Sequence, residues 1–345
     1  MTYVATKEQV VGQLRTIKLK PSDFASDQEV RWCPGCGDYA ILKAVQKCLA
    51  ELNADKAKTV FVSGIGCSSR LPYYMSTYGI HTIHGRAPAF ATGIKITNPE
   101  LDVWIITGDG DALSIGGNHL IHILRRNLDC QILLFNNEVY GLTKGQASPT
   151  SRSGTVSPTT PDGSHESPLS ACELALSAGA TFVARGIDTS IKQLIPTLMQ
   201  AKEHNGSSFI EIYQNCIVYN DGVFNSFTER LNLANQQIHV ENGKPLVFGE
   251  NRNKGLIIND SHSAIEIIDL DKDKDKSNRL VVHDETNKFV AYLLTQMKEP
   301  DFPVAIGVLY RVPKSTLDEH YIKANKSNKN KLNAIMNEGQ TWTIV

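Results

Sequence analysis

A carboxylate and an amide stand at matched positions after two apolar runs of this sequence. Asp109, in the turn 108–110, follows the run 103–106, and Asn137 follows the run 132–135. If both runs are parallel strands joined by a helix, the two side chains lie at neighbouring strand ends. One carboxylate and one amide oxygen, completed by phosphate oxygens, form a common ligand set for Mg²⁺ on a diphosphate. The pair therefore predicts a diphosphate–Mg²⁺ site.

The glycines around Asp109 fit the same interpretation. Gly108 and Gly110 let the backbone approach a diphosphate, and the helix predicted from residue 115 offers it unpaired N–H groups. The alternative is a simple Gly-Asp-Gly turn and an unrelated Asn136-Asn137 pair. The spacing, in which twenty-five residues separate the two motifs, resembles the thiamine diphosphate and Mg²⁺ motif of thiamine diphosphate-dependent enzymes.

Four of the seven cysteines lie at turns or predicted strand ends: Cys33, Cys36, Cys67 and Cys216. Two thiols at the tight turn 33–36 can face one ion or cluster, or form a redox dithiol. Together the four fit a Cys₄ site, and their spacing leaves structural zinc and an iron–sulfur cluster both open. The remaining three are predicted to be small buried hydrophobic residues: Cys48, Cys130 and Cys172.

The composition is that of an ordinary soluble globular chain. Its 345 residues are enough for one large or two small domains, and 41% are hydrophobic. A net charge of −1 gives no argument for nucleic-acid binding. We find neither an apolar stretch of about twenty residues, which a spanning helix needs, nor a secretory h-region in residues 1–20, so we expect no membrane contact and a cytoplasmic location.

Alternating strand and helix patterns position these residues. They predict an α/β domain over residues 31–225, a parallel sheet flanked by helices, between a leader segment 1–30 and an extended C-terminal tail, 226–345. Residues 144–168 are rich in Ser, Thr, Pro and Gly and predict a functional loop over a site. Helical spacing covers residues 38–52, 88–97, 115–126, 170–178 and 191–204.

Five motifs occur in the order found in one family. The chain resembles the β subunit of 2-oxoacid:ferredoxin oxidoreductases, in particular the 2-oxoglutarate branch, over about residues 25–225. The motifs are Cys33-Pro34-Gly35-Cys36-Gly37, Ser63-Gly64-Ile65-Gly66-Cys67, His84-Gly85-Arg86, Gly108-Asp109-Gly110-Asp111 and Tyr140-Gly141-Leu142-Thr143-Lys144-Gly145-Gln146.

This resemblance implies an enzyme and its partners. The expected reaction is thiamine diphosphate-dependent oxidative decarboxylation of a 2-oxoacid with coenzyme A, giving acyl-CoA and CO₂. Electrons would pass through one [4Fe–4S] cluster to ferredoxin. An α subunit carrying the pyrimidine-binding domain would supply the glutamate that activates the cofactor. For 2-oxoglutarate the product would be succinyl-CoA; pyruvate or a broad range of 2-oxoacids is the alternative.

The resemblance also implies ligands. The cluster would be bound by Cys33, Cys36, Cys67 and Cys216. Mg²⁺ would be bound by the side chains of Asp109 and Asn137 and by the carbonyl of Val139. Thiamine diphosphate would contact Ile65, Gly66, Cys67, Ser68, His84, Gly110, Asp111, Gly141 and Leu142.

Two residues are candidates for direct catalytic roles. Lys144 would pair with the distal carboxylate of 2-oxoglutarate, since this loop lies beside the substrate in the family; from position alone it is an exposed loop lysine. His84 is predicted to contact cofactor or substrate. Two other functions stay open: a thiamine diphosphate decarboxylase or synthase with structural cysteines, and a zinc-stabilised subunit with no catalytic role.

Overall fold

A mostly parallel eight-stranded sheet runs through the part of the chain that the computed structural model describes, residues 18–259 and 264–322. The strand order is β2-β1-β3-β4-β6-β5-β11-β7, and β8 to β10 form a separate three-stranded sheet. The strands are β1 Thr59–Ser63, β2 Tyr78–His81, β3 Asp102–Gly108, β4 Cys130–Asn136, β5 Phe182–Ile187, β6 Ser207–Tyr213, β7 Gln237–His239, β8 Val247–Phe248, β9 Lys254–Ile258, β10 Ile265–Asp269 and β11 Val304–Arg311.

Helices connect these strands. A π-helical turn, Asp111–Ile115, precedes α3, and 3₁₀ turns cover Pro21–Phe24, Ser68–Tyr74 and Lys274–Arg279. The α-helices are α1 Asp38–Glu51, α2 Ala87–Thr97, α3 Gly117–Arg126, α4 Ala171–Ser177, α5 Ile191–Glu203, α6 Asn225–Thr228, α7 Leu233–Gln236 and α8 Lys288–Gln296.

The sheet separates two apolar cores because successive strand residues point to opposite faces. In β3, Val103 and Ile105 pack on one side with residues of α2, α3, α4 and α8. Trp104 and Ile106 pack on the other side with residues of α1 and α5. Both faces are buried, which explains why the strands read as continuous apolar runs in the sequence.

The carboxyl ends of β4 and β6 are level, and the neighbouring β3 ends one residue before them. Gly108 of β3 pairs with Phe135 of β4, and Phe135 pairs with Ile212 of β6. The chain turns back between β1 and β3, which are neighbours although β2 lies between them in sequence. Such a reversal opens a crevice at the carboxyl ends of the strands, where ligands of α/β proteins bind.

The predicted alternation of strands and helices is confirmed, with a kink that the pattern did not reveal. Helical spacing predicted one helix over 115–126, whereas the structure has a π-helical turn at Asp111–Ile115 followed by α3. The break lies at Ser114, whose ψ of −106° is not helical. The deviation brings Gly116 against Gly85, where a Cβ on Gly85 would lie 2.5 Å from the Gly116 nitrogen.

The end of the sheet is made by strands from the segment 226–345. β11 pairs antiparallel with β5 and parallel with β7, so these two strands run opposite to the other six. The domain boundaries at 31 and 225 stay predictions, and residues 1–17 of the leader and 323–345 of the tail lie outside the described residues. In the described ranges, no helix is long and apolar enough to cross a membrane.

A buried ion pair joins β5 to β6 near these strand ends. Arg185 and Glu211 are both almost fully buried, and Arg185 Nε donates to Glu211 Oε2 at 2.9 Å. Asn136 and Cys172 also donate to this carboxylate, at 2.9 and 3.2 Å. Neighbouring acidic groups raise the pKa of Arg185 despite the opposing effect of burial, so the guanidinium stays charged.

Replacing Glu211 by leucine should destabilise the fold strongly. The change leaves the buried Arg185 charge and the Asn136 amide without their acceptor, at an expected cost of about 3–5 kcal/mol. Urea unfolding followed by far-UV circular dichroism measures the loss. The double variant Arg185→Met with Glu211→Leu should recover most of it, and a single variant as stable as the parent would contradict the role of this pair.

Candidate functional site

Asp109 is the first residue after β3, and its carboxylate is buried under two hydroxyl groups. Ser148 Oγ donates to Asp109 Oδ2 at 2.6 Å, and Thr150 Oγ1 lies 2.7 Å from the same oxygen. Both hydroxyls come from the loop 144–168, which therefore packs over this strand end. Burial raises the pKa of Asp109, and these hydrogen bonds oppose the rise. Because both hydroxyls contact Oδ2, the other carboxylate oxygen, Oδ1, is the one more available to a ligand.

Asn137 is the first residue after β4, and its amide is oriented by two partners. Its Nδ2 donates to Gln214 Oε1 at 2.8 Å, while its Oδ1 accepts from the backbone N–H of Val139 at 3.2 Å. Asp109, Asn137 and Val139 line one cavity. The structure thus brings the three predicted Mg²⁺ ligands to one place, with two hard oxygen donors and a backbone carbonyl among them.

Asp111 joins the loops around this cavity. Its Oδ1 accepts from the backbone N–H groups of Ile65 and Gly85, at 3.1 and 2.7 Å, and Oδ2 accepts from Thr107 Oγ1 at 2.7 Å. His84 Nδ1 lies 2.6 Å from Oδ1. Both oxygens of Asp111 are thus used by the neighbouring loops and strand, and Gly110 is the N-cap of the π-helical turn that follows.

The cavity has space for a diphosphate beside two glycines. At Gly66, with φ +109°, an added Cβ would meet nothing within 4 Å. At Gly110 an added Cβ would lie 2.1 Å from the Tyr140 ring, and Tyr140 Oη donates to the Gly110 carbonyl at 3.2 Å. The open backbone at Gly66 leaves room for a phosphate group, and the close packing at Gly110 fixes the opposite wall.

The four predicted cluster ligands line a second cavity, of about 220 Å³. Cys33 is exposed and Cys36, Cys67 and Cys216 are half-buried. A Cβ on Gly141 would lie 3.5 Å from Cys216 Sγ and 3.8 Å from Cys67 Sγ, so this glycine packs directly beside both sulfurs. The prediction that Cys48, Cys130 and Cys172 are buried hydrophobic residues is confirmed.

Burial, with smaller contributions from neighbouring acidic groups, raises the pKa values of two of these thiols, Cys36 and Cys67. Burial raises the pKa of Cys67 to about 11, with further contributions from Asp38, Cys216 and Cys33. The pKa of Cys36 is also raised by burial, and next by Asp38. Within 18–259 and 264–322, no three or more His, Cys, Asp or Glu side chains are close enough to bind a single metal ion. The four sulfurs line a cavity and are not arranged around a single ion-sized position.

The two cavities share a wall. Five residues line both of them. The cavity at Asp109 and the cavity between the cysteines are therefore separated by one layer of side chains. The shared residues are Cys67, Asn137, Gly141, Leu142 and Gln214.

The remaining predicted residues are placed differently from one another. His84, Ile65, Ser68, Gly110 and Leu142 line the cavity at Asp109. Lys144 lies exposed on the loop after this cavity, with φ +78° and its backbone N–H bonded to the Gly141 carbonyl at 3.1 Å. The residues that line the cavity include Leu142 and Thr143 but not Lys144.

Sequence reasoning missed four residues of the site. Ser148 and Thr150 are separated in sequence from Asp109, and nothing in a Ser/Thr-rich loop marks which hydroxyl turns inwards. Asp38 lines the cavity, has a buried Oδ1 without a hydrogen-bond partner, and its pKa is raised to about 7 by burial. Gln214 had a usable signal, since it follows β6 at the same offset as Asn137 follows β4.

Comparisons with known proteins identify the class of enzyme subunit that has this kind of site. Residues 64–212 match the family model of the C-terminal thiamine pyrophosphate-binding domain of thiamine pyrophosphate enzymes. The 2-oxoglutarate oxidoreductase subunit KorB of Mycobacterium tuberculosis is 43% identical over 336 residues, 94% of this chain and 88% of that protein. The β subunit of 2-oxoacid:ferredoxin oxidoreductase 1 from Aeropyrum pernix is 52% identical over 190 residues, 55% of this chain and 60% of that protein.

A solved structure covers nearly the whole chain. It is the 2-oxoglutarate:ferredoxin oxidoreductase from Magnetococcus marinus with 2-oxoglutarate, coenzyme A and succinyl-CoA bound. The likeness has a TM-score of 0.74 and 32% identity, over 93% of this chain and 97% of that one. Fold and site therefore define a thiamine pyrophosphate-binding oxidoreductase subunit. The chain belongs to the family of 2-oxoacid:ferredoxin oxidoreductase β subunits.

Replacing Thr150 by valine should weaken cofactor binding without unfolding the chain. The variant removes one of the two hydroxyls beside Asp109 Oδ2, so the carboxylate is held less firmly. We expect the dissociation constant of thiamine diphosphate, measured by calorimetry in magnesium buffer, to rise about tenfold. Thr159→Val, an exposed position of the same loop, should leave it unchanged. Equal affinities for both variants would contradict this role of Thr150.

Proposed function

We propose that this chain is the β subunit of a 2-oxoglutarate:ferredoxin oxidoreductase. With an α subunit it would convert 2-oxoglutarate and coenzyme A to succinyl-CoA and CO₂ and pass the electrons to ferredoxin. The name of the Mycobacterium tuberculosis relative and the ligands named for the Magnetococcus marinus structure support this substrate. Pyruvate, or a broad range of 2-oxoacids, is the alternative.

The observation that supports this proposal most is the shared wall of the two cavities. Cys67 lies in the same turn as Ile65 and Gly66, which line the cavity at Asp109, and faces the other cysteines as well. An enzyme that removes electrons from a substrate bound at one cavity needs an acceptor close by. A structural zinc site would not need this proximity.

In the first cavity, Asp109, Asn137 and the Val139 carbonyl would bind Mg²⁺, and the open backbone at Gly66 would admit the diphosphate. Bound thiamine diphosphate supplies the carbon nucleophile and the electron sink for loss of CO₂ from a 2-oxoacid. The chain's own contribution would be to hold Mg²⁺, and through it the diphosphate, with fixed oxygens, and to keep water from Asp109 with the loop 144–168. Asp111 holds the proton of His84 on Nδ1, which leaves Nε2 able to accept.

In the second cavity, Cys33, Cys36, Cys67 and Cys216 would bind a [4Fe–4S] cluster. Four thiols from three separate turns line a cavity larger than one ion requires. The raised pKa values of Cys36 and Cys67 mean that a strongly positive group must offset the charge of their thiolates, as iron does.

The α subunit would complete the first cavity. Among the described residues that line it, the acidic side chains are Asp38, Asp109 and Asp111, and no glutamate is present. Two of these three carboxylates are already held by protein hydrogen bonds. The glutamate that activates the cofactor in this family would therefore come from the partner.

We further propose that the complex acts in the cytoplasm and that ferredoxin is its electron acceptor.

Removing one thiol should separate the cluster from the alternatives. Anaerobically purified complex is expected to be brown and to contain about four irons per β subunit by chemical analysis. Cys36→Ala should lose most of this iron and its visible absorption, whereas Cys48→Ala, in the buried face of α1, should retain both. About one zinc in place of iron would instead support the zinc-stabilised subunit.

Lys144 tests the choice of substrate. Lys144→Ala should lower kcat/KM for 2-oxoglutarate by at least tenfold, because the distal carboxylate loses a charged partner, and should change kcat/KM for pyruvate little. The assay is CoA-dependent reduction of ferredoxin by the complex with the α subunit. Lys244→Ala, an exposed lysine elsewhere, is the control. An equal loss for both substrates would refute the role of Lys144.

A further inference from the structure

We propose that Gln214 is a positioning residue that couples the two cofactor sites, holding Asn137 with one end of its amide and Cys36 with the other. The inference rests on the proposed function, because it assigns Asn137 to Mg²⁺ and Cys36 to the cluster. Nothing in the five sequence motifs marks this glutamine, which lies outside all of them.

The geometry is that of a bridge in the shared wall. Gln214 is the first residue after β6 and is only 1% exposed. Its Oε1 accepts from Asn137 Nδ2 at 2.8 Å, and its Nε2 donates to Cys36 Sγ at 3.2 Å and to the Asn215 carbonyl at 2.6 Å. One buried side chain thus touches a predicted ligand of each site.

The orientation of this amide follows from a neighbour that can only accept. The Asn215 carbonyl requires a donor, so Nε2 must face it and Oε1 must face Asn137. Asn137 then has to present Nδ2 to Gln214, which leaves Oδ1 as its remaining polar atom. A metal ion binds the oxygen of an amide and not its nitrogen. Gln214 therefore selects the rotamer of Asn137 that can ligate Mg²⁺.

At its other end, Gln214 supplies an N–H···S hydrogen bond to Cys36. Hydrogen bonds to ligand sulfurs withdraw electron density from an iron–sulfur cluster and raise its reduction potential. The bond is buried, so water does not replace it when it is lost. The residue that orients the cofactor's metal would therefore also favour electron transfer to the cluster.

Two substitutions separate these effects. Gln214→Leu removes both contacts. Gln214→Glu, studied at pH 8, keeps an oxygen acceptor for Asn137 but removes the N–H donor to Cys36 and places a negative charge beside it. Both are made in the holoenzyme with its α subunit, purified anaerobically. The two measurements are the midpoint potential of the cluster, by redox titration with electron paramagnetic resonance, and the dissociation constant of thiamine diphosphate in magnesium buffer.

We expect Gln214→Leu to change both measurements. The potential should fall by the amount of a tenfold change in the reduction equilibrium, about 59 mV for one electron. The dissociation constant should rise about 10- to 100-fold, as for other residues that orient metal ligands. Gln214→Glu should lower the potential but keep cofactor affinity within about threefold of the parent, since Asn137 retains its acceptor.

A matched control is the buried amide of Gln237 in β7. It is 5% exposed and donates to the Phe227 carbonyl at 2.6 Å, away from both cavities. Gln237→Leu should lower thermal stability without changing the potential or cofactor affinity. If both Gln214 variants keep the parent potential and affinity while binding a full complement of iron, Gln214 has a structural role only and the inference is wrong.

This outcome differs from failure of the proposed function. In that case the parent complex itself would contain no iron and bind no thiamine diphosphate, whatever the residue at 214. If Gln214→Leu does not fold, Gln214→Glu alone tests whether Gln214 couples the two sites. A parent-like potential in Gln214→Glu would overturn the coupling.

Discussion

The nearly level ends of β3, β4 and β6 determine most of what this site can do. The strand pairings align Gly108 with Phe135 and Ile212, so Asn137 and Gln214, the residues after β4 and β6, are level, and Asp109 lies one residue before them. A shift of one residue in the pairing of β4 with β6 would turn Asn137 and Gln214 to different faces. The backbone hydrogen bonds of the sheet thus set where the carboxylate and the two amides lie.

Burying these polar groups has a cost, and the surrounding loops offset it. Each carboxylate at the strand ends receives hydroxyl or backbone N–H donors, two hydroxyls at Asp109 and four groups around Asp111. Asp38 is the exception, with a buried oxygen that has no partner. The raised pKa values of Cys36 and Cys67 reflect the same cost of burying groups in their charged form.

Much of the fold, and several residues that line the two cavities, could be predicted because both depend on local patterns. Apolar runs, helical spacing and strand-end motifs identified Asp109, Asn137 and four cysteines. The kink at Ser114 and the role of Asp111 could not be predicted, since they depend on loops 64–65 and 84–85 approaching from other parts of the chain. Ser148 and Thr150 contact Asp109 across 39 and 41 residues, and Gln214 contacts Cys36 across 178, which a single sequence does not encode locally; of the three, only Gln214 had a local signal, its strand-end position.

In the proposed function, a substrate bound at the Asp109 cavity delivers electrons to a cluster held by the adjacent cysteines. Anaerobic mixing of the complete α and β complex with 2-oxoglutarate and coenzyme A, followed by freeze-quench electron paramagnetic resonance, measures this electron transfer. We predict a reduced-cluster signal that forms within the turnover time and is absent from Asn137→Ala and Cys216→Ala. A complex that forms succinyl-CoA while its cluster stays oxidised, or that contains no cluster, would contradict it.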